Sequence, residues 1–88
     1  MGFEQLTSLG SAVGLSAATY KDANCAILCA RAQDVNWRDD GNDPTASVGI
    51  TLKVGVPFVY EGDLSAIKVI EAAGSGKLDV VYWRKARL

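Results

Sequence analysis

The sequence has 88 residues, which is room for one domain, 1–88, rather than two. Its 9 Lys and Arg residues nearly balance its 10 Asp and Glu residues, and the sequence pI is about 5.2. A nucleic-acid binder needs a basic face to displace counterions from phosphates, so no nucleic-acid partner is expected. No run approaches the roughly 20 apolar residues that span a bilayer, so no membrane association is expected either.

The chain contains no histidine and only two cysteines. This composition excludes Ser-His and Cys-His nucleophile pairs and a Cys/His zinc site within one chain. In an extended segment, Cys25 and Cys29 would lie about 13 Å apart, too far for a disulfide, and we interpret both as small buried apolar residues. The sequence therefore predicts a protein that is not an enzyme, with no cofactor and no metal site.

Short apolar stretches separated by glycine and small polar residues dominate the first half of the chain. Phe3–Thr7 is a candidate first strand, within a stretch, residues 1–11, that could also form an extended N-terminal arm. The segment Ser8–Thr19 contains two glycines, which disfavour a helix. Asn24–Ala32 is apolar at successive positions and predicts a central strand covered on both faces. Next, Val35–Arg38 alternates as a half-buried strand does.

The second half continues the strand pattern. Apolar residues alternate along residues 50–60, and Pro57 predicts that this strand lies at a sheet edge or carries a bulge. Leu64–Ala73 fits a helix with Asp63 as its N-cap almost as well as a strand, and its β-branched residues favour the strand. A predicted hairpin loop, residues 74–77, leads into an alternating strand, residues 78–83.

These elements together predict an all-β fold. The expected architecture is a small antiparallel β-sandwich or barrel of about six to eight short strands. Charged residues and proline at sheet edges oppose the pairing of edge strands with other chains, and we expect this role for Lys53, Pro57 and Lys77. A domain of this size without a disulfide or a metal is expected to gain stability by forming a homo-oligomer or by docking on a partner.

Aromatic and charged residues near two polar segments form the candidate interaction site. The loop after Trp37 is rich in Asp and Asn, which favour tight turns, and its spacing does not match an EF-hand. We expect Trp37 to lie in the core and Arg38 to pair with a nearby acid, whereas Trp83 lies beside a basic C-terminal run. The candidate interface residues are Trp83, Arg84, Arg38, Asp39, Asp40, Asp43 and Tyr60.

Three segments resemble a known family. The stretches Ala12–Tyr20, Trp37–Ser47 and Gly62–Ile70 are similar to small virion-associated proteins encoded by tailed bacteriophages and prophages. The block WRDDGNDPTAS is the most specific of them. The resemblance spans nearly the whole chain, carries no catalytic motif, and implies a jelly-roll-like β-sandwich that is present in many copies on a particle.

The resemblance also implies a function. We expect a structural virion protein that binds the capsid surface as a decoration or cement protein and stabilises the head. Its partner would then be the major capsid protein or another virion protein. The protein would also form a homo-oligomer, for example a trimer. Such a protein is made in the host cytoplasm and ends up on the virion. The alternative is a tail or neck component, including a module that recognises a host glycan through exposed aromatic residues and loop acids.

Overall fold

The computed structural model describes residues 2–85, which form two four-stranded antiparallel sheets. The strands are β1 (Gly2–Leu6), β2 (Val13–Gly14), β3 (Cys25–Arg31), β4 (Val35–Arg38), β5 (Ile50–Leu52), β6 (Phe58–Glu61), β7 (Lys68–Glu71) and β8 (Lys77–Trp83). A four-residue helix, α1 (Ala17–Tyr20), and a 3₁₀ turn, Leu64–Ala66, connect them. The predicted all-β sandwich is confirmed.

The strand order follows a single rule. Sheet A has the order β1-β8-β3-β6 and sheet B has the order β2-β7-β4-β5. The first strand therefore pairs with the eighth, the second with the seventh, the third with the sixth and the fourth with the fifth. This is the pairing of one long hairpin rolled into two packed sheets, which is the winding of a jelly roll.

Alternate residues of the long strands fill the space between the sheets. In β3 the inward residues are Ala26, Leu28 and Ala30, and all three are buried. The inward residues of β8 are also buried, and its Tyr82 is the largest fully buried side chain. Sheet B, the loops and the connecting turns contribute the rest of the core: Leu9, Leu15, Val35, Leu52, Leu64, Ile67 and Val69.

Strand β3 is central, as expected, because it lies between β8 and β6. The expectation that both of its faces are covered is wrong. Ile27 and Cys29 point away from sheet B and are only half-buried, whereas Cys25 at the start of the strand is buried. Neither cysteine forms a disulfide.

Two other local predictions are corrected by the structure. The alternating run 50–60 is not one strand, because a turn with Gly55 at φ 81° carries the chain from β5 in sheet B to β6 in sheet A. Strand β6 does lie at a sheet edge, as Pro57 predicted. A helix was not expected in residues 8–19, yet the short α1 begins at Ala17, after both glycines have been passed.

The segment that fitted a helix or a strand contains a turn and a strand. Asp63 accepts a hydrogen bond from the Ser65 amide at 3.0 Å and caps the 3₁₀ turn, so its N-cap role is real although the helix is short. Extended strand β7 then follows from Lys68 to Glu71. At the other end of the chain, the whole of β1 pairs with β8, so this part of residues 1–11 belongs to sheet A.

Candidate functional site

Strand register places most of the candidate interface residues at one end of the sandwich. In sheet A, Cys25 pairs with both Trp83 and Glu61, so the start of β3 and the ends of β6 and β8 share this end. The end of β4 joins them, because the Tyr60 hydroxyl donates a hydrogen bond to Asp39 Oδ2 at 2.9 Å. We call this end of the molecule the loop end.

Three aromatic side chains form a cluster between β4 of sheet B and the edge strand β6 of sheet A. The centroid of the Trp37 ring lies 5.4 Å from the Phe58 ring centroid, with the two rings tilted. It lies 5.8 Å from the Tyr60 ring centroid, in an edge-to-face arrangement. These separations are typical of favourable aromatic pairs. Trp37 is half-buried, and its Nε1 is a buried donor without a hydrogen-bond partner among the described residues. An unpaired buried donor costs about 1–3 kcal/mol, which makes Trp37 unusual within this otherwise well-paired structure.

Arg38 pairs with Asp40, in agreement with the expectation that it pairs with a nearby acid. Its Nε donates to Asp40 Oδ1 at 3.0 Å, and its Nη2 donates to Asp40 Oδ2, so the contact is bidentate. The Asn42 amide also donates to Asp40 at 3.2 Å. The hydrogen bond from Arg38 holds the pKa of Asp40 below its usual range, and the same pair raises the pKa of Arg38. These hydrogen bonds hold the Arg38 guanidinium against the Asp40 carboxylate as an ion pair.

Tyr60 connects this loop to sheet A. Its ring points inward, toward Trp37, while its hydroxyl reaches Asp39. Burial, followed by the hydrogen bond to Asp39, raises the pKa of Tyr60 from 10.0 to about 12. Both effects favour the neutral phenol, because a phenolate here would be poorly solvated and would face a carboxylate.

We expect the Asp39→Ala variant to lower the pKa of Tyr60 and leave it above 10.0, because burial, the larger cause, remains. The measurement is the ultraviolet absorbance of phenolate on alkaline titration, with the Tyr60→Phe titration subtracted. Since the raised pKa applies only to the folded state, its stabilising effect is complete below pH 10 and is lost as the pH rises to about 12. A Tyr60 pKa that does not fall in Asp39→Ala would contradict this interaction.

A surface groove of about 350 Å³ opens beside the aromatic cluster. This volume lies at the lower end of the range for small-molecule sites. Gly49 lies on its wall with φ 145°, and a Cβ there would come within 3.1 Å of the Trp37 carbonyl oxygen. The residues that line this Trp37 groove are Trp37, Arg38, Asp39, Asp40, Val48, Gly49 and Ile50.

The loop that forms one wall of the groove is held by a buried amide. Asn36 Nδ2 donates to the carbonyl oxygens of Thr45 and Ala46, both at 3.0 Å, and its Oδ1 accepts from the Thr51 hydroxyl at 2.8 Å. Thr45 and Val48 also form an isolated bridge across the loop. The groove is therefore shaped before any ligand arrives.

The remaining candidates lie outside the Trp37 groove. Asp43 is exposed in the same loop. Trp83 is half-buried on the outer face of sheet A, and Arg84 Nη1 reaches the Asp22 carbonyl at 3.5 Å, the limit of a hydrogen bond. The structure thus brings Arg38, Asp39, Asp40 and Tyr60 together and places Trp83 on a different surface.

That surface carries a row of apolar side chains that sequence reasoning missed. The pairing Phe3–Val81–Ile27–Val59 runs straight across all four strands of sheet A, with every side chain on the outer face. Phe3 is 61% exposed, Val59 52% and Val81 44%. We call these four residues the apolar row. Contiguous apolar patches on the surface of soluble proteins often mark a binding surface.

The apolar row lies between two groups of paired charges. On one side, Asp79 accepts hydrogen bonds from Arg31 at 3.0 Å and Gln5 at 2.8 Å. On the other side, Lys85 Nζ lies 3.6 Å from Glu61 Oε1. Because these charges are already neutralised within the face, they would add little electrostatic repulsion to a protein that approaches it.

Within residues 2–85, no three acidic or cysteine side chains come together as metal ligands. No helix in this part of the chain is long and apolar enough to cross a membrane. Comparison of the chain with protein-family models, with curated proteins and with solved structures finds no match. The resemblance to phage virion proteins therefore stays a prediction.

Proposed function

We propose that this chain is a structural protein of a tailed-phage virion, which binds the capsid surface as a decoration protein and stabilises the head. The apolar row is the observation that carries the proposal, because it gives a small domain an uncovered face on which to attach. The jelly-roll fold and the sequence resemblance to virion-associated proteins support it.

In this proposal the apolar row is buried against the major capsid protein or against a neighbouring copy. Full burial of one large apolar side chain stabilises a contact by about 1.5–3 kcal/mol, and association costs at least several kcal/mol. A single contact is therefore modest. A copy that bridges two capsid subunits binds at a high effective concentration, and many such copies together resist disassembly strongly. Association of the copies as a trimer would suit a symmetry axis of the shell.

The decisive variant is Phe3→Ser combined with Val59→Ser, which makes both ends of the apolar row polar. We expect at least a tenfold loss of binding to expanded heads of the phage that encodes the chain, measured by co-sedimentation, and a loss of self-association measured by light scattering. Thermal unfolding of the monomer should change little, because neither side chain belongs to the core.

The matched control is Val56→Ser. Val56 is 58% exposed, close to Val59 at 52%, and lies outside the apolar row. It should bind heads as the unchanged protein does. The proposal fails if the double variant and the control behave alike, or if the unchanged protein is a stable monomer that does not bind expanded heads. Density for the chain at the tail or neck of the particle would contradict the role in capsid decoration and favour a tail or neck component.

A further inference from the structure

The Trp37 groove has no part in the capsid contact proposed above, and its chemistry points to a ligand. We infer that it binds a neutral saccharide, with Ile50 and Trp37 against the apolar side of a sugar ring and Arg38 and Asp39 on its hydroxyl groups. This inference goes beyond the proposed function and holds wherever on a particle the protein lies.

The apolar part of the groove suits the C–H face of a sugar. Ile50 is more than half exposed at the end of edge strand β5, opposite Trp37 in the register of sheet B. Val48 is exposed beside it. The Trp37 ring is wedged against Phe58 and Tyr60, so this wall is rigid. A rigid aromatic residue gives up little conformational freedom when a ligand binds.

The polar part offers one donor and one acceptor side by side. Arg38 uses Nε and Nη2 on Asp40, which leaves Nη1 without a partner among the described residues. Asp39 accepts the Tyr60 hydroxyl on Oδ2, which leaves Oδ1 without a partner there. Neighbouring sugar hydroxyl groups both donate and accept hydrogen bonds, so a pair of them matches this arrangement.

The net negative charge of the Trp37 groove disfavours anionic ligands. The groove carries two carboxylates, Asp39 and Asp40, and one guanidinium, Arg38. The remaining negative charge opposes acidic sugars and phosphates. Asp40 already has a cationic partner in Arg38, whereas Asp39 accepts only the neutral Tyr60 hydroxyl, so one negative charge remains in the groove.

The test uses the full 88-residue chain on an array of neutral, acidic and amino sugars. Any sugar that binds is then titrated into ¹⁵N-labelled protein while the Trp37 indole resonance is followed, with Trp83→Phe used for its assignment. We expect a neutral sugar to shift the Trp37 resonance with a dissociation constant in the millimolar range, as an open groove implies.

Asp39→Asn should weaken that binding at least fivefold, because it replaces a charged acceptor with a neutral amide. The matched control is Asp22→Asn, which removes one carboxylate from an exposed turn outside the groove and should bind as the unchanged protein does. The inference is overturned if no sugar shifts the Trp37 resonance, if an acidic sugar or a lysine-rich peptide binds more tightly, or if Asp39→Asn has no effect. Capsid binding in the same variants reports separately on the proposed function.

Discussion

Tyr82→Ala is expected to lower the free energy of unfolding by about 3–5 kcal/mol, because it removes the largest fully buried side chain of the core. The Tyr82 ring lies 6.0 Å from Tyr20, and its hydroxyl donates to Glu4. Removal of the ring leaves a cavity in the core and takes a hydrogen-bond donor from Glu4. Domains of this size have a total stability of about 5–15 kcal/mol, so the variant should be partly or wholly unfolded at physiological temperature.

Chemical denaturation followed by tryptophan fluorescence measures this effect. The neighbouring Val81→Ala is the matched control, because Val81 points to the outer face of sheet A and should cost less than about 1 kcal/mol. Tyr82→Phe keeps the ring and removes only the hydroxyl, so its cost should be about 1–2 kcal/mol. Equal losses in Tyr82→Ala and Val81→Ala would mean that the inward and outward faces of β8 have been assigned wrongly.

Asn36→Leu is expected to cost about 2–3 kcal/mol and to loosen the loop that shapes the Trp37 groove. Leucine has nearly the shape of asparagine, so the change removes the amide while it largely preserves packing. The Ala46 carbonyl oxygen would then lose its donor, the Thr45 carbonyl oxygen would keep only the Val48 amide, and the Thr51 hydroxyl would lose its acceptor. Amide hydrogen exchange should speed up across residues 45–48 and stay unchanged in β8.

Thr51→Val is the control for this prediction, because it removes only the hydrogen bond to Asn36 Oδ1. It should cost about 1 kcal/mol and leave exchange in the loop nearly unchanged. If Asn36→Leu is as stable as the unchanged protein, the loop is held by other contacts and the groove is not shaped in advance by Asn36.

Local residue patterns were enough to predict the two long strands of sheet A, β3 and β8. The run from Leu78 to Trp83 and the apolar run from Cys25 to Ala30 both form the long strands that their patterns indicated. Sequence alone could not separate β5 from β6, because the apolar alternation continues through Gly55 although the chain changes sheets there. A pattern of side-chain types records which face is apolar and does not record which sheet a residue joins.

The Trp37 groove and the apolar row differ in how readily they can be predicted from the sequence. Arg38, Asp39 and Asp40 are consecutive, so their proximity was evident, whereas Ile50 reaches the groove only because the loop folds back along β4. The apolar row depends on register between strands that are far apart in the chain, such as Phe3 opposite Val81. An outward Val in each of β6 and β8 was the only local signal of it, and isolated exposed valines are common on protein surfaces.

The nested pairing of strands also constrains how the chain is made. Strand β8 is the last of the eight described strands to be synthesised, yet it lies in the interior of sheet A, between β1 and β3. Until β8 has been synthesised, β1 has no strand to pair with and the core lacks the residues from Leu78 to Tyr82. Such long-range closure slows folding and leaves apolar surface uncovered during synthesis. We therefore expect this domain to fold only once β8 has been synthesised, as one cooperative unit.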